Sequence, residues 1–326
     1  MEILGNEKNL DFLRESADGG RLSHAYIISG PEGSGKKTFA DNAAYALLCE
    51  NRRSGSAFAP CGRCPSCRRA LSRNHPDIIR VVHEKKNLLA VDEIRTQLVA
   101  DVDIKPYYGP YKIYIIEDAS LMTVQAQNAL LKTIEEPPAY AVVFLLADNA
   151  DILLDTIKSR SIRIDMQPLN PDAEEKLLLS KGASFEQAKK LCAFSPGSAG
   201  QALEILSDKE LEDFLDYVMK IPAHIKDMDA ADIADTAEAL SEGSGLNISD
   251  TLRKWYRDVL ILKTAGSGSL YFPQERKTLL SQAENLSCEN LNEIFSDIDE
   301  ADERLMFNVN ARAVYEALLL RIRRYG

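Results

Sequence analysis

No stretch of the sequence approaches the run of about 18 apolar residues that a membrane-spanning helix needs, so a protein crossing a membrane in that way is excluded. The first residues, MEILGNEKNLDFLRES, have neither the basic start nor the apolar run of a secretory signal, and the expected compartment is the cytoplasm. In that reducing setting the six cysteines are not expected to build a disulfide framework. Internal repeats and low-complexity tracts are missing as well. Positive charge is in deficit: 39 Lys and Arg stand against 50 Asp and Glu, a formal net of −11. That balance is poor for a protein that wraps phosphate backbones over its whole surface.

The deficit is uneven. Residues 208–250 hold twelve acids against three lysines, a net of −9, whereas residues 51–73 hold six arginines (Arg52, Arg53, Arg63, Arg68, Arg69 and Arg73) and no acid. The arginine-rich stretch also gathers four of the six cysteines: Cys49, then eleven residues to Cys61, two to Cys64 and two to Cys67. Ordinary buried thiols explain one or two such cysteines, but not four among Arg, Gly, Pro and Ser. Four thiolates can close a tetrahedral zinc site, and because no position stays open the zinc is expected to be structural. Pro60, Gly62 and Pro65 supply the turns. Cys192 and Cys288 lie in helical patterns and are expected in the core.

Along the chain, short apolar runs at 24–29, 77–82, 111–116, 141–146 and 161–165 read as strands. Helical patterns at 36–49, 91–102 and 124–136 alternate with them, the last entered at Thr123 as N-cap and stopped by Pro137-Pro138. Such alternation predicts an α/β domain on a parallel sheet. Beyond Pro168 the strand signal ends. Residues 170–207 read as short helices, and the rest as longer ones broken near Pro222, 242–245 and 266–269. Three domains are expected: α/β at 1–168, a small helical domain at 169–207 and a helical domain at 208–326.

Between the first strand and helix lies Gly30-Pro-Glu-Gly-Ser-Gly-Lys36, which fits the phosphate-binding loop G-x-x-x-x-G-K through Gly30, Gly33, Gly35 and Lys36. The pattern asks next for a Ser or Thr to ligate Mg²⁺. Lys37 stands there, with Thr38 one place late, and a cation at that point opposes the metal. The third strand ends in Glu117-Asp118, where ATPases of this type place Asp and then Glu. A glycine-rich turn that binds nothing, and two solvated acids, are the bland alternatives.

Together with these features, Met122-Thr-Val-Gln-Ala-Gln-Asn-Ala-Leu-Leu-Lys-Thr-Ile-Glu-Glu-Pro-Pro138 resembles the clamp-loader subunits of bacterial DNA polymerase III. Thr156-Ile-Lys-Ser-Arg-Ser161 is similar to their Ser-Arg-Cys motif, with Ser161 in the cysteine place. The likeness is close over roughly the first 165 residues and one of layout beyond. It implies an AAA+/RecA-like P-loop domain with a zinc module, a small helical lid and an all-helical collar. Two kinds of subunit share that plan: the ATP-hydrolysing gamma/tau motor and the largely rigid delta-prime partner. Lys37, the inverted acid pair and Gly200, at a position where the motor carries an arginine, favour the delta-prime kind, as does the chain's length. A gamma/tau-like ATPase is the alternative, and a zinc-bearing P-loop adaptor a remote third.

The resemblance implies that Arg160 acts in trans as an arginine finger toward ATP on an adjacent subunit. It implies gamma/tau and delta subunits as partners, with the sliding clamp and primer-template DNA reached through the assembled complex. Gly30, Gly33, Gly35, Lys36, Lys37, Thr38, Glu117 and Asp118 are the candidate nucleotide site for ATP or ADP, with Mg²⁺ in doubt. Cys49, Cys61, Cys64 and Cys67 are the candidate zinc ligands.

Overall fold

A computed structural model of the chain describes residues 4–52, 57–83, 88–243, 248–266, 268, 270–307 and 309–325. Arg53 of the basic cluster, Ser244 and Gly245 of one expected break and Ser267 and Ser269 of the other lie outside the described residues. The chain divides into two compact units, Met1–Leu177 with Gly197–Gly200, and Leu178–Pro196 with Gln201–Gly326.

The first unit begins with α1 (Glu7–Asp18), β1 (Ala25–Ser29), α2 (Lys36–Leu47) and α3 (Pro65–Leu71). It continues through β2 (Ile78–Val81), α4 (Val91–Ile94), β3 (Lys112–Ile116), α5 (Val124–Glu135), β4 (Ala141–Ala147), α6 (Asp155–Lys158) and β5 (Ile162–Asp165). The five strands form one parallel sheet in the order β2-β3-β4-β1-β5, with Ile27 opposite Leu145 and Ile115 opposite Phe144. Strands β1, β3 and β4 are buried at every position, as strands covered on both faces must be.

Successive residues feed opposite layers. Ile27, Tyr114 and Val143 pack with Ile94, Leu98 and Leu130 on one face, and Tyr26, Ile113 and Phe144 with Leu13, Phe39 and Ala43 on the other. This is the α/β parallel-sheet fold that the alternation predicts. Thr123 caps α5 as expected, its hydroxyl accepting from the Ala126 N–H at 3.1 Å. The expected helix at 91–102 departs from the α-helical form: after α4 it widens into a π turn over Arg95–Val99. There the Gln97 side-chain amide pairs with both backbone groups of Val82, at 3.0 and 2.8 Å, holding the turn to the end of β2.

Buried charge fastens the loops to this sheet. Asp77, fully buried, accepts from the backbone N–H groups of Tyr107, Tyr108 and Gly109 at 2.6, 2.8 and 3.1 Å. Lys112, also buried, donates to the carbonyls of Asp101 and Ile104 at 3.0 and 3.1 Å and pairs with the Asp101 carboxylate at 2.7 Å. Both groups are satisfied on all sides, which is what makes their burial tolerable.

In chain order α7 (Pro171–Ser180), α8 (Phe185–Phe194) and α9 (Ala199–Ser207) follow, matching the short helices expected at 170–207. The second unit is helical, with α10 (Lys209–His224), α11 (Ala230–Glu242), α12 (Ile248–Ala265), α13 (Arg276–Asn285), α14 (Cys288–Met306) and α15 (Ala311–Tyr325). Two acids of the 208–250 stretch sit at helix starts, where free N–H groups favour negative charge: Asp208 caps α10 and Asp229 caps α11. Trp255 is buried in the core of this unit, its indole N–H donating to Gln282 at 2.8 Å. Cys192 is half-buried against that core, but Cys288 is exposed, because it opens the first turn of α14 beside the Ser287 cap.

Replacing Asp77 by Ala leaves three backbone N–H groups without their acceptor. We expect a loss of about 3 kcal/mol in urea unfolding; a change below about 1 kcal/mol would show that the 107–109 turn finds other partners.

Candidate functional site

The loop from Gly30 to Lys36 leaves β1 and enters α2 through Gly35, whose φ of 85° is left-handed. Lys36 does not extend into open space. Its ammonium donates to the carbonyls of Gly30 and Pro31 at 2.6 and 2.8 Å and to Asp148 at 2.7 Å. Thr38 is half-buried in the first turn of α2.

Beside it, Lys37 pairs with Glu117 at 3.1 Å. The other oxygen of Glu117 takes the Arg80 guanidinium at 2.8 Å, and Arg80 also bonds Asp41 of α2. Glu117 and Arg80 are each about one-fifth exposed and Asp41 less than one-tenth. Burial pushes the Glu117 carboxyl up, but the hydrogen bonds from Arg80 and Lys37 outweigh it and hold it below the ordinary range. Burial likewise works against the Lys37 charge, and Glu117 more than restores it. Arg80 and Asp41 carry no motif, and the apolar readings of β2 and α2 pass over them. Asp118, the second acid of the pair, bonds the His83 imidazole at 3.2 Å. The acids are therefore not simply solvated.

Residues 197–200 close against the same loop. Ser198 donates to the Glu32 carbonyl at 2.9 Å and the Gly200 N–H to the Gly33 carbonyl at 2.9 Å. A Cβ on Gly200 would stand 2.9 Å from that carbonyl oxygen and 3.0 Å from the Gly33 Cα. An arginine at position 200 would have to lift the segment off the loop. Behind it, buried Glu174 accepts from the Gly197 N–H at 2.8 Å through one oxygen, while the other has no partner among the described residues.

The four cysteines converge as their spacing predicts. Their sulfurs all lie within 4.8 Å of one another. A zinc ion with bonds of ~2.3 Å holds sulfurs ~3.8 Å apart, so only a small contraction is needed. The backbone N–H groups of Cys61, Cys64 and Cys67 point at the sulfurs of Cys49, Cys61 and Cys64 at 3.5, 3.4 and 3.3 Å, which supports thiolate charge. The N–H groups of Arg63 and Cys64 bring the Cys61 thiol down to about 6, while burial raises those of Cys67 and Cys49. Pro65 opens α3 directly behind Cys64, which caps it. The donor set fits zinc with no side left open.

Arg160 stands apart from these groups at the end of α6. It is exposed, paired with Glu135 at 3.1 Å and bonded to the Thr156 carbonyl and the Ser159 hydroxyl at 3.1 Å each. Neighbouring Lys158 and Arg163 pair with Asp155 and Asp165 at 2.9 and 2.6 Å. The Ser161 hydroxyl is buried without a partner among the described residues, at the place where the motif carries a less polar cysteine.

Glu174 gives the cover segment a pH dependence. Burial raises its carboxyl from 4.5 to about 7, against the partial opposition of the Gly197 N–H. Between those values the folded chain binds more protons than the unfolded chain. Its contribution is therefore full below the unfolded value and lost as pH rises through the folded one. Glu174→Gln keeps an acceptor for Gly197 and removes the charge. Between about pH 5 and about pH 8 the variant should lose less stability than the native chain, by up to about 3 kcal/mol in urea unfolding. Parallel curves would remove Glu174 as the source.

Residues 5–170 match the family described as DNA polymerase III, delta subunit. The Bacillus subtilis DNA polymerase III subunit delta-prime is 29% identical, over 95% of this chain and 94% of its own length. Bacillus subtilis subunit tau is 25% identical over 98% of this chain, which spans 61% of tau's length. A solved gamma subunit-related protein of Thermotoga maritima aligns over 97% of this chain and 99% of its own, with a TM-score of 0.51 at 19% identity, a likeness of fold. The resemblance carried by residues 122–138 is borne out, and the chain belongs to the DNA polymerase III delta-subunit family as a delta-prime-like member.

Proposed function

We propose that this chain serves the DNA polymerase III clamp loader as a subunit that does not hydrolyse ATP itself and instead offers Arg160 to ATP held by a neighbouring gamma/tau subunit. The observation that carries the reading is the state of Glu117. A carboxylate with Lys37 at one oxygen and Arg80 at the other already has its charge matched by two cations, and both repel Mg²⁺. Lys37 itself occupies the position of the metal-ligating hydroxyl. ATP or ADP in the loop would also need Lys36 to give up its bonds to Gly30, Pro31 and Asp148.

Arg160 has the properties that a finger requires. Its ion pair with Glu135 is solvent-exposed, and such pairs contribute only about 0–1 kcal/mol, so a phosphate of a partner's nucleotide can displace Glu135 at small cost. A guanidinium at the transferring phosphoryl group stabilises charge that develops in the transition state. Delta and gamma/tau subunits are the direct partners in this reading, with the sliding clamp and primer-template DNA met by the complex in the cytoplasm. The domains at 1–168, 169–207 and 208–326 correspond to P-loop body, lid and collar. Zinc on Cys49, Cys61, Cys64 and Cys67 is structural and takes no part in phosphoryl transfer.

Two measurements test this. The purified chain should turn over no ATP with Mg²⁺, and Arg160→Ala should assemble normally yet slow hydrolysis at the site it serves by on the order of 10³-fold. Robust turnover by the chain alone, abolished by Lys36→Ala, supports the gamma/tau-like ATPase instead, and an unchanged rate with Arg160→Ala removes the finger. For the zinc module, metal analysis should give one equivalent, and Cys67→Ser should release it and lower the melting temperature. A full equivalent retained by Cys67→Ser would reassign the site.

A further inference from the structure

A second basic feature lies on the other side of Arg80. A cavity of about 130 Å³, lined by Tyr45, Ala70, Arg73, His75, Ile78 and Arg80, opens between α2, α3 and β2. None of its lining residues belongs to the phosphate loop. Arg73 forms no ion pair with any described residue, and its charge is felt by Lys37, Asp41 and Tyr45. The lining itself holds two guanidiniums and no acid; Arg80 is paired with Asp41 and Glu117, so Arg73 is the lining cation without an ion-pair partner among the described residues. Asp77 and Glu50, which act on His75, are already bonded to backbone N–H groups, Glu50 to that of Ser66. His75 adds no charge: one ring nitrogen faces the Ser66 hydroxyl at 3.0 Å, the other accepts from the Asp77 N–H at 3.1 Å, and burial lowers its pKa.

The backbone at Arg73 sharpens the point. Arg73 has a φ of 56°, and among the described residues it is the one non-glycine residue with positive φ. It ends α3 where helices commonly place glycine, with the Asn74 N–H reaching back to the Arg69 carbonyl at 2.9 Å. An arginine is thus held in a conformation that glycine adopts freely, at the mouth of a cationic cavity. Strain kept at such a place is a sign of function.

We propose that the Arg73 cavity binds a phosphate group, with the guanidinium of Arg73 as the principal donor and Tyr45 and Arg80 as its walls. The size admits one phosphate and excludes a whole nucleotide. The group can arrive as free phosphate or on a nucleic-acid strand, because the chemistry that recognises it is the same.

Arg73→Gly tests the assignment without endangering the fold. Glycine relieves the left-handed strain, so the variant should melt higher than the native chain. Titration calorimetry with inorganic phosphate, and separately with a short single-stranded oligonucleotide, should show binding about tenfold or more weaker in the variant. Sodium chloride at matched ionic strength is the control. Arg73-dependent binding of phosphate supports a free-phosphate site, and Arg73-dependent binding of the oligonucleotide alone supports a strand phosphate. Binding lost with Lys36→Ala but kept with Arg73→Gly would place the anion in the phosphate loop and overturn the proposal. So would native-level binding by Arg73→Gly, an equal response to chloride, or no binding of either probe.

Discussion

One carboxylate shared between two cations organises the end of the central sheet. Glu117 leaves β3 and meets Lys37 from α2 and Arg80 from β2, while Arg80 reaches on to Asp41 on α2. Arg80, Glu117 and Asp41 are largely withdrawn from water while Lys37 is mostly exposed, so removing Arg80 would strand the Asp41 carboxylate, and the cost of an unpaired buried charge is large. The cluster therefore fixes the spacing of three elements at once. It acts as an internal brace at the carboxyl end of β3.

Other polar groups in the first unit follow the same logic. Asp77 and Lys112 are buried, yet each faces as many partners as it can use, and each holds a loop rather than a ligand. The cysteine module is tied to the sheet through a relay: Ser66 of α3 bonds His75 and the Leu48 carbonyl, and His75 bonds the backbone at Asp77. Arg69 of α3 lies over the Tyr108 ring at 4.1 Å, in the turn that Asp77 anchors. A metal at the cysteines would thus stiffen a segment already continuous with β2.

Much of this was legible in the sequence, because the informative signals are local. The five apolar runs become the five strands to within a residue or two at their ends, and Thr123 caps α5 because its hydroxyl needs only the next turn. The cysteine spacing brings four sulfurs together because turns of two residues leave few other options. Partnerships across the chain escaped notice. Arg80 sits in an apolar strand, Asp41 inside a helix and Glu174 at the start of another, and no spacing links them to Glu117 or Gly197. The π turn at Arg95–Val99 escaped too, since its apolar pattern reads as an ordinary helix. Cys288 is exposed and not in the expected core, because periodicity does not say which turn of a helix is exposed.

The bonds of Lys36 bear on any anion that enters its loop. An ammonium offers three hydrogens, and all three have acceptors, two of them carbonyls of the loop itself. Those acceptors are tethered to the amine by a few bonds, so their effective concentration is of millimolar order or more. The loop is in this sense its own competitive inhibitor. Any anion seeking Lys36 must exchange with a ligand that never diffuses away, and its apparent affinity is reduced by that internal competition whatever its intrinsic fit.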